Sequence, residues 1–184
     1  MVKLIFTSAK PPSLKHKSMV AALQYTTDVL NKYFGSVFAQ SGPVVVLGNL
    51  VQPDGSVATA NDNRVIITLV NIELTTKKAP IALGNRQSPG TAAAASTPNY
   101  RLYILMSAHF SNYTEGLKYL DKGIEFFTNS PILDAAADTN MPAGIAMIEF
   151  AVENLSYEQI QSVWAASGAR YQPSVVYRLN IISK

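Results

Sequence analysis

Residues Leu155 to Arg178 read LSYEQIQSVWAASGARYQPSVVYR, a helix and then a strand in one unbroken run. Ser156 can accept the backbone N–H of Gln159 while the Gln159 side chain reaches back, which is the S-x-x-Q capping box. Ile160, Val163 and Trp164 recur at helical spacing. Gly168 supplies the left-handed residue at which such a helix stops. Pro173 prevents a helical restart and fixes φ for an extended chain. From Val175 the period becomes two. Val175, Tyr177, Leu179 and Ile181 fall on one face, with Val176, Arg178 and Asn180 on the other.

The same reading extends upstream. Residues 1–13 form an N-terminal extension: Val2 to Thr7 has the pattern of a short strand, isolated by Pro11-Pro12. Ser13 is placed to cap a helix carrying the stripe Met19, Leu23, Thr26, Leu30, Tyr33 and Phe34, with Gly35 as its expected end. PVVVL (43–47) predicts a short buried strand. The turn-rich residues 52–63 predict a hairpin connection. Arg64 to Thr75 predicts a long strand with Val65, Ile67 and Leu69 on one face. Ile66, Val70, Ile72 and Leu74 are then on the other, and both faces are expected to be covered. Tyr100 to Ala108 predicts the next strand.

Asn112 or Ser111 caps a helix with the stripe Tyr113, Leu117, Leu120, Ile124 and Phe127. Residues 131–144 read as a loop, and Ile145 to Val152 as a strand. Residues 76–99 show no periodicity and read as one long loop. The expected fold is α/β of the α+β type: one mixed sheet of about five strands with about three helices packed on it, a single domain over 14–184.

Of the 184 residues, 48% are hydrophobic and 15% charged, which leaves little charge to cover a surface with and favours partner contacts. The net charge is +3, and Lys3, Lys10, Lys15, Lys17 and Lys32 against Asp28 concentrate it at the N-terminus. No dense basic face with interleaved aromatics is present, so nucleic acid is not an expected partner. There is no cysteine, hence no disulfide or thiolate metal site. No apolar run approaches the roughly 20 residues of a membrane span, and the expected site of synthesis is the cytoplasm.

Chemistry is hard to place. His16 and His109 lie far apart, and H-E-x-x-H, G-x-S-x-G, G-x-G-x-x-G and the P-loop pattern are all absent. Asp134 and Asp138 read as loop carboxylates. Glu149, mid-strand among apolar residues, is expected to pair with Arg178, and Glu73 to pair across strands likewise. No cofactor, metal or catalytic residue is expected. Trp164 and Tyr171 read first as core; the alternative places them at a subunit boundary, where Trp, Tyr and Arg concentrate binding energy.

The stretch also resembles a known family. Leu155, Ser156, Glu158, Gln159, Trp164, Gly168, Tyr171, Pro173, Ser174, Tyr177 and Arg178 match the closing unit of tail terminator (cap) proteins of phage-tail-like contractile injection systems. VVLGNL, ITLVNIEL and the strand from Tyr100 resemble the same family, with Arg101 and Met106 as departures, so the likeness runs roughly over residues 44–182. The resemblance implies a structural protein that forms a hexameric ring, caps the inner tube and the contractile sheath, and ends up in an assembled, released particle. Larger relatives carry a further C-terminal domain, so this chain is expected to be a minimal form. Interface candidates are Lys77, Lys78 and Arg86 on the long loop, with Trp164, Tyr171 and Arg178 on the closing unit. A tail assembly chaperone absent from the finished particle, or a small-molecule-binding or hydrolytic protein, are the competing expectations.

Overall fold

The structure is a computed structural model and describes residues 19–56, 58–75 and 99–184. In chain order it contains α1 (Met19–Phe38), β1 (Val45–Leu47), a 3-10 turn (Thr59–Asn61), β2 (Arg64–Thr75), β3 (Asn99–His109), α2 (Tyr113–Asn129), β4 (Ile132–Asp134), β5 (Ile145–Val152), α3 (Tyr157–Ala166) and β6 (Ser174–Ser183). One six-stranded sheet runs in the order β1-β2-β3-β6-β5-β4, parallel between β1 and β2 and antiparallel elsewhere. The fold is therefore the mixed α+β sheet expected from the sequence. The strand that sequence missed is β4, a three-residue edge strand inside the 131–144 segment. The expectations for residues 1–18 and for the loop 76–99, with Lys77, Lys78 and Arg86, fall outside the described residues, except that Asn99 begins β3.

Two hydrophobic layers sandwich the sheet. Leu23, Leu30 and Phe34 of α1 and Tyr119, Leu120 and Phe127 of α2 pack on Val65, Ile67, Leu102, Ile104, Met106, Tyr177, Leu179 and Ile181. The opposite pleats, Ile66, Leu105 and Val176, meet Trp164 of α3 together with Leu50. The period-two assignment for β6 thus holds on both faces.

Four local expectations are corrected by packing. α1 does not stop at Gly35 but runs to Phe38, because one more turn sets Phe38 4.2 Å from Tyr119 and 5.8 Å from Phe34, ring centre to ring centre. That burial outweighs the roughly 1 kcal/mol propensity cost of an internal glycine. The stripe of α2 is rotated: Gly116, Tyr119, Leu120, Gly123 and Phe127 face inward, while Tyr113 and Leu117 are exposed. A Cβ at Gly123 would lie 2.9 Å from the end of Met106, so this glycine is what lets α2 approach the sheet.

The 52–63 connection is not a hairpin, since β1 and β2 run parallel and the chain between them must cross back. Finally, Val70 is an extra residue between the pairs Leu69–Ile104 and Asn71–Tyr103. A bulge shifts every later side chain to the other face. Ile72 and Leu74 therefore share the face of Val65 and Ile67 rather than that of Ile66. They are also 42% and 65% exposed, so the far half of β2 is not covered on both sides as expected.

Candidate functional site

The α3–β6 unit is built as its sequence dictates. Ser156 Oγ accepts from Gln159 N–H at 3.3 Å, and Gln159 Oε1 accepts from Ser156 N–H at 2.8 Å, closing the capping box. Gly168 takes φ +67° at the helix end, a left-handed conformation that other residues adopt only with strain. The chain then turns through Tyr171 and Pro173 into β6. Trp164 is 3% exposed, and its indole Nε1 donates to Ser174 Oγ at 3.2 Å, tying helix to strand. Tyr171 stands edge-on to it at 5.6 Å and is 65% exposed. Trp164 is core, and it holds an aromatic ring at the surface.

That ring borders a groove. Where β5 hands over to α3, a hollow of about 290 Å³ opens between Tyr157, Leu155 and Ile160 on one side and Tyr171, Ser174 and Val175 on the other. Tyr157 is 94% exposed. Glu153 lines the groove and accepts an ion pair from Arg178 Nη1 at 3.5 Å. The expected Glu149–Arg178 pair does not form. Arg178 lies opposite Ala151, and Glu149 lies opposite Asn180, whose Nδ2 donates to it at 3.4 Å. The sequence candidates Tyr171 and Arg178 are thus brought to one groove, the second through Glu153, with Trp164 behind. Sequence reasoning missed Tyr157 and Glu153; an exposed aromatic at the first helical position was the available signal.

A polar belt crosses the same face of the sheet beyond α3. Arg101 Nη1 pairs with Glu73 Oε2 at 3.0 Å, Arg101 Nε donates to Asn180 Oδ1 at 3.3 Å, and Tyr103 OH donates to Glu73 Oε1 at 3.1 Å. Asn180 carries the belt to Glu149. Glu73, expected to pair across strands with no partner specified, pairs with Arg101, and its carboxylate holds that guanidinium above its usual range. Both ends of the pair are partly solvated, so the belt sets surface chemistry more than stability.

Among the described residues, the remaining titratable groups do not assemble into a reaction centre. His109 is half-buried, its ring 6.3 Å from Trp164, and burial holds its pKa below the ordinary value. Its Nε2 is buried without a hydrogen-bond partner among the described residues. Asp134 and Asp138 cap turns: Asp134 accepts from Ala136 N–H, and Asp138 accepts from Asn140 N–H and from Tyr25 OH at 2.8 Å. Tyr25 is pushed well up, first by burial and then by that carboxylate. A larger hollow of about 610 Å³ between β2 and α3 is lined by Leu50, Val70, Ser162 and Val163, with no titratable side chain among the described residues of its wall. No group of three or more His, Asp or Glu placed for a metal ion occurs among the described residues, and no described helix is long and apolar enough to cross a membrane.

With this geometry in place, comparison with known proteins gives one family. The Pvc16 N-terminal domain family matches residues 24–184, and the chain belongs to it. The tail-terminator resemblance carried by the closing unit stands on that match. Among solved structures the fold is similar to the one described as "Cryo-EM Structure of an Extracellular Contractile Injection System, PVC sheath/tube terminator in extended state". The TM-score is 0.51 at 14% identity, over 92% of this chain and 57% of that one. The chain therefore spans little more than half the length of that terminator, and the likeness is one of fold. No curated protein matches the chain.

Proposed function

We propose that this chain is a tail terminator of a contractile injection system, closing the end of the inner tube and its sheath. Membership of the Pvc16 N-terminal domain family over residues 24–184 carries the reading. The fold it shares with a sheath/tube terminator supports it. In this reading the protein is structural rather than enzymatic, and its surfaces do the work. Residues 14–184 act as one domain preceded by an extension, and six copies close into a ring that meets tube and sheath proteins. Lys77, Lys78 and Arg86 of the 76–99 loop, with Tyr171 and Arg178, contribute to those contacts. Synthesis is cytoplasmic, and the chain then becomes part of the particle. A cyclic ring requires two different surfaces per subunit, and the Tyr157–Tyr171 groove is one candidate.

Light scattering on the purified chain tests the ring. A mass of six subunits is the expected result; a monomer or a trimer, alone and on isolated particles, would contradict it.

A further inference from the structure

His109 closes β3 directly opposite Arg64, the first residue of β2. Its Nε2 is buried without a hydrogen-bond partner among the described residues. The ring also lines a hollow of about 490 Å³ between two connections. The β1–β2 connection contributes Leu50, Val51 and Gly55, and the α3–β6 connection contributes Gly168, Arg170 and Gln172. A neutral imidazole fits this place, since it can carry its proton on Nδ1 and leave only a lone pair at Nε2. An imidazolium carries N–H at both nitrogens, and the second proton would be buried with a charge and no acceptor.

The two connections are not held alike. The β1–β2 side is anchored: Leu50 is buried, Asn61 Nδ2 donates to the Asn49 carbonyl at 2.9 Å, and Gln52 N–H donates to the Ser56 carbonyl at 2.9 Å. The α3–β6 side is tied at its ends. Gly168 N–H donates to the Ala165 carbonyl, and Ala108 N–H to the Pro173 carbonyl, each at 3.1 Å. Between them, residues 169–172 make no hydrogen bond among the described residues. Gly168, at φ +67°, ends the helix where a hinge would lie.

We propose that residues 168–172 are a latch, closed over neutral His109 and released on acidification, when the protonated ring needs water at Nε2. Release carries Tyr171 away from its edge-on place at Trp164. The charges set against the ring are Arg64 from β2, Arg170 from the latch and Asp62 from the turn before β2. Two guanidiniums oppose the imidazolium, and one carboxylate favours it. The carbonyls of Val163, Trp164 and Ala165 at the end of α3 already accept from Ser167 and Gly168. The neutral ring is the folded form, so closure is complete above the ordinary histidine value of about 6.5 and weakens by up to about tenfold per pH unit below it. The device belongs to the single chain and goes beyond the ring reading.

Hydrogen exchange of the Ala108 amide, which bonds across the latch, tests it in the full chain. Corrected for the intrinsic rate at each pH, this amide is expected to exchange at least about tenfold faster than that of Leu105 in mid-β3, through local opening. Between pH 7.5 and 5.5 that opening is expected to grow severalfold, up to about tenfold. His109→Gln is expected to abolish the pH dependence. The chain has one other histidine, His16, and His16→Gln is expected to retain it in full, which assigns the effect even where His109→Gln does not fold. Ala108 exchanging in step with Leu105 overturns the latch. So does a local opening that ignores pH, or a pH dependence that survives His109→Gln or disappears in His16→Gln.

Discussion

Asn31 of α1 is hydrogen-bonded to Val45 of β1 as a neighbouring strand would be. Its Oδ1 accepts from the Val44 and Val45 backbone N–H groups at 2.9 and 2.8 Å, and its Nδ2 donates to the Val45 carbonyl at 2.9 Å. One side chain thus occupies the outer edge of the sheet, where unpaired backbone would otherwise recruit a foreign strand. Asn31→Ala leaves those groups without partners and is expected to cost about 1–3 kcal/mol. Asn31→Asp keeps the two accepted bonds but sets a charge against the Val45 carbonyl, and should fall between Ala and the parent. Urea titration checks the order. An Ala variant with an unchanged midpoint would show that water replaces the carboxamide without loss.

Trp164 joins both functions of the closing unit. Trp164→Ala removes the centre of the second hydrophobic layer and is expected to cost about 3–5 kcal/mol. Ser174→Ala removes only the partner of the indole Nε1, about 1 kcal/mol. Thermal melts should rank the two. A Trp164→Ala protein that melts like the parent but fails to assemble would move Trp164 from the core to an interface.

Tyr177 is 1% exposed, and its hydroxyl has no hydrogen-bond partner among the described residues. Burial pushes its pKa up to about 12. Removing an unsatisfied buried hydroxyl should not destabilise, so Tyr177→Phe is expected to hold or raise stability by up to about 1 kcal/mol. A clear drop in melting temperature would reveal a partner for that hydroxyl.

His109 sets a pH window. Its folded pKa lies below the ordinary 6.5, chiefly through burial, with Asp62 opposing weakly. Arg170 lines a hollow of about 490 Å³ together with His109 and Gly168, and adds no attraction for a charged ring. As pH falls from about 7 the unfolded chain takes up the proton first, so stability falls until the folded pKa is passed. The melting temperature is expected to decline between about pH 7 and 5, where carboxylates barely titrate. His109→Gln should flatten that decline. A variant that keeps the full slope would assign it elsewhere.

Much of the fold was legible because local signals agreed with tertiary packing. The Ser156–Gln159 box, Gly168 and the alternation from Val175 each specify α3 and β6 independently of the rest. What sequence could not show is relational. The Val70 bulge depends on how β2 registers with β3, and no periodicity within β2 reveals that one residue is unpaired. The rotation of α2 depends on Met106 and Phe110 meeting Gly116 and Gly123, which a stripe of large residues ignores. Arg178 pairs with Glu153 rather than Glu149 because strand register decides which residues face each other. At the site, Tyr171 and Arg178 were legible as residue types, whereas the groove that unites them exists only once β5, α3 and β6 are assembled.

The central claim is that this chain ends the tube and sheath. Its most direct test is the length distribution of particles imaged from cells with and without the chain. Without it, tubes and sheaths of uncontrolled length with an open end are expected, and restoring the chain should return a single length with one closed end. Particles of normal, uniform length and closed ends in its absence would contradict the account.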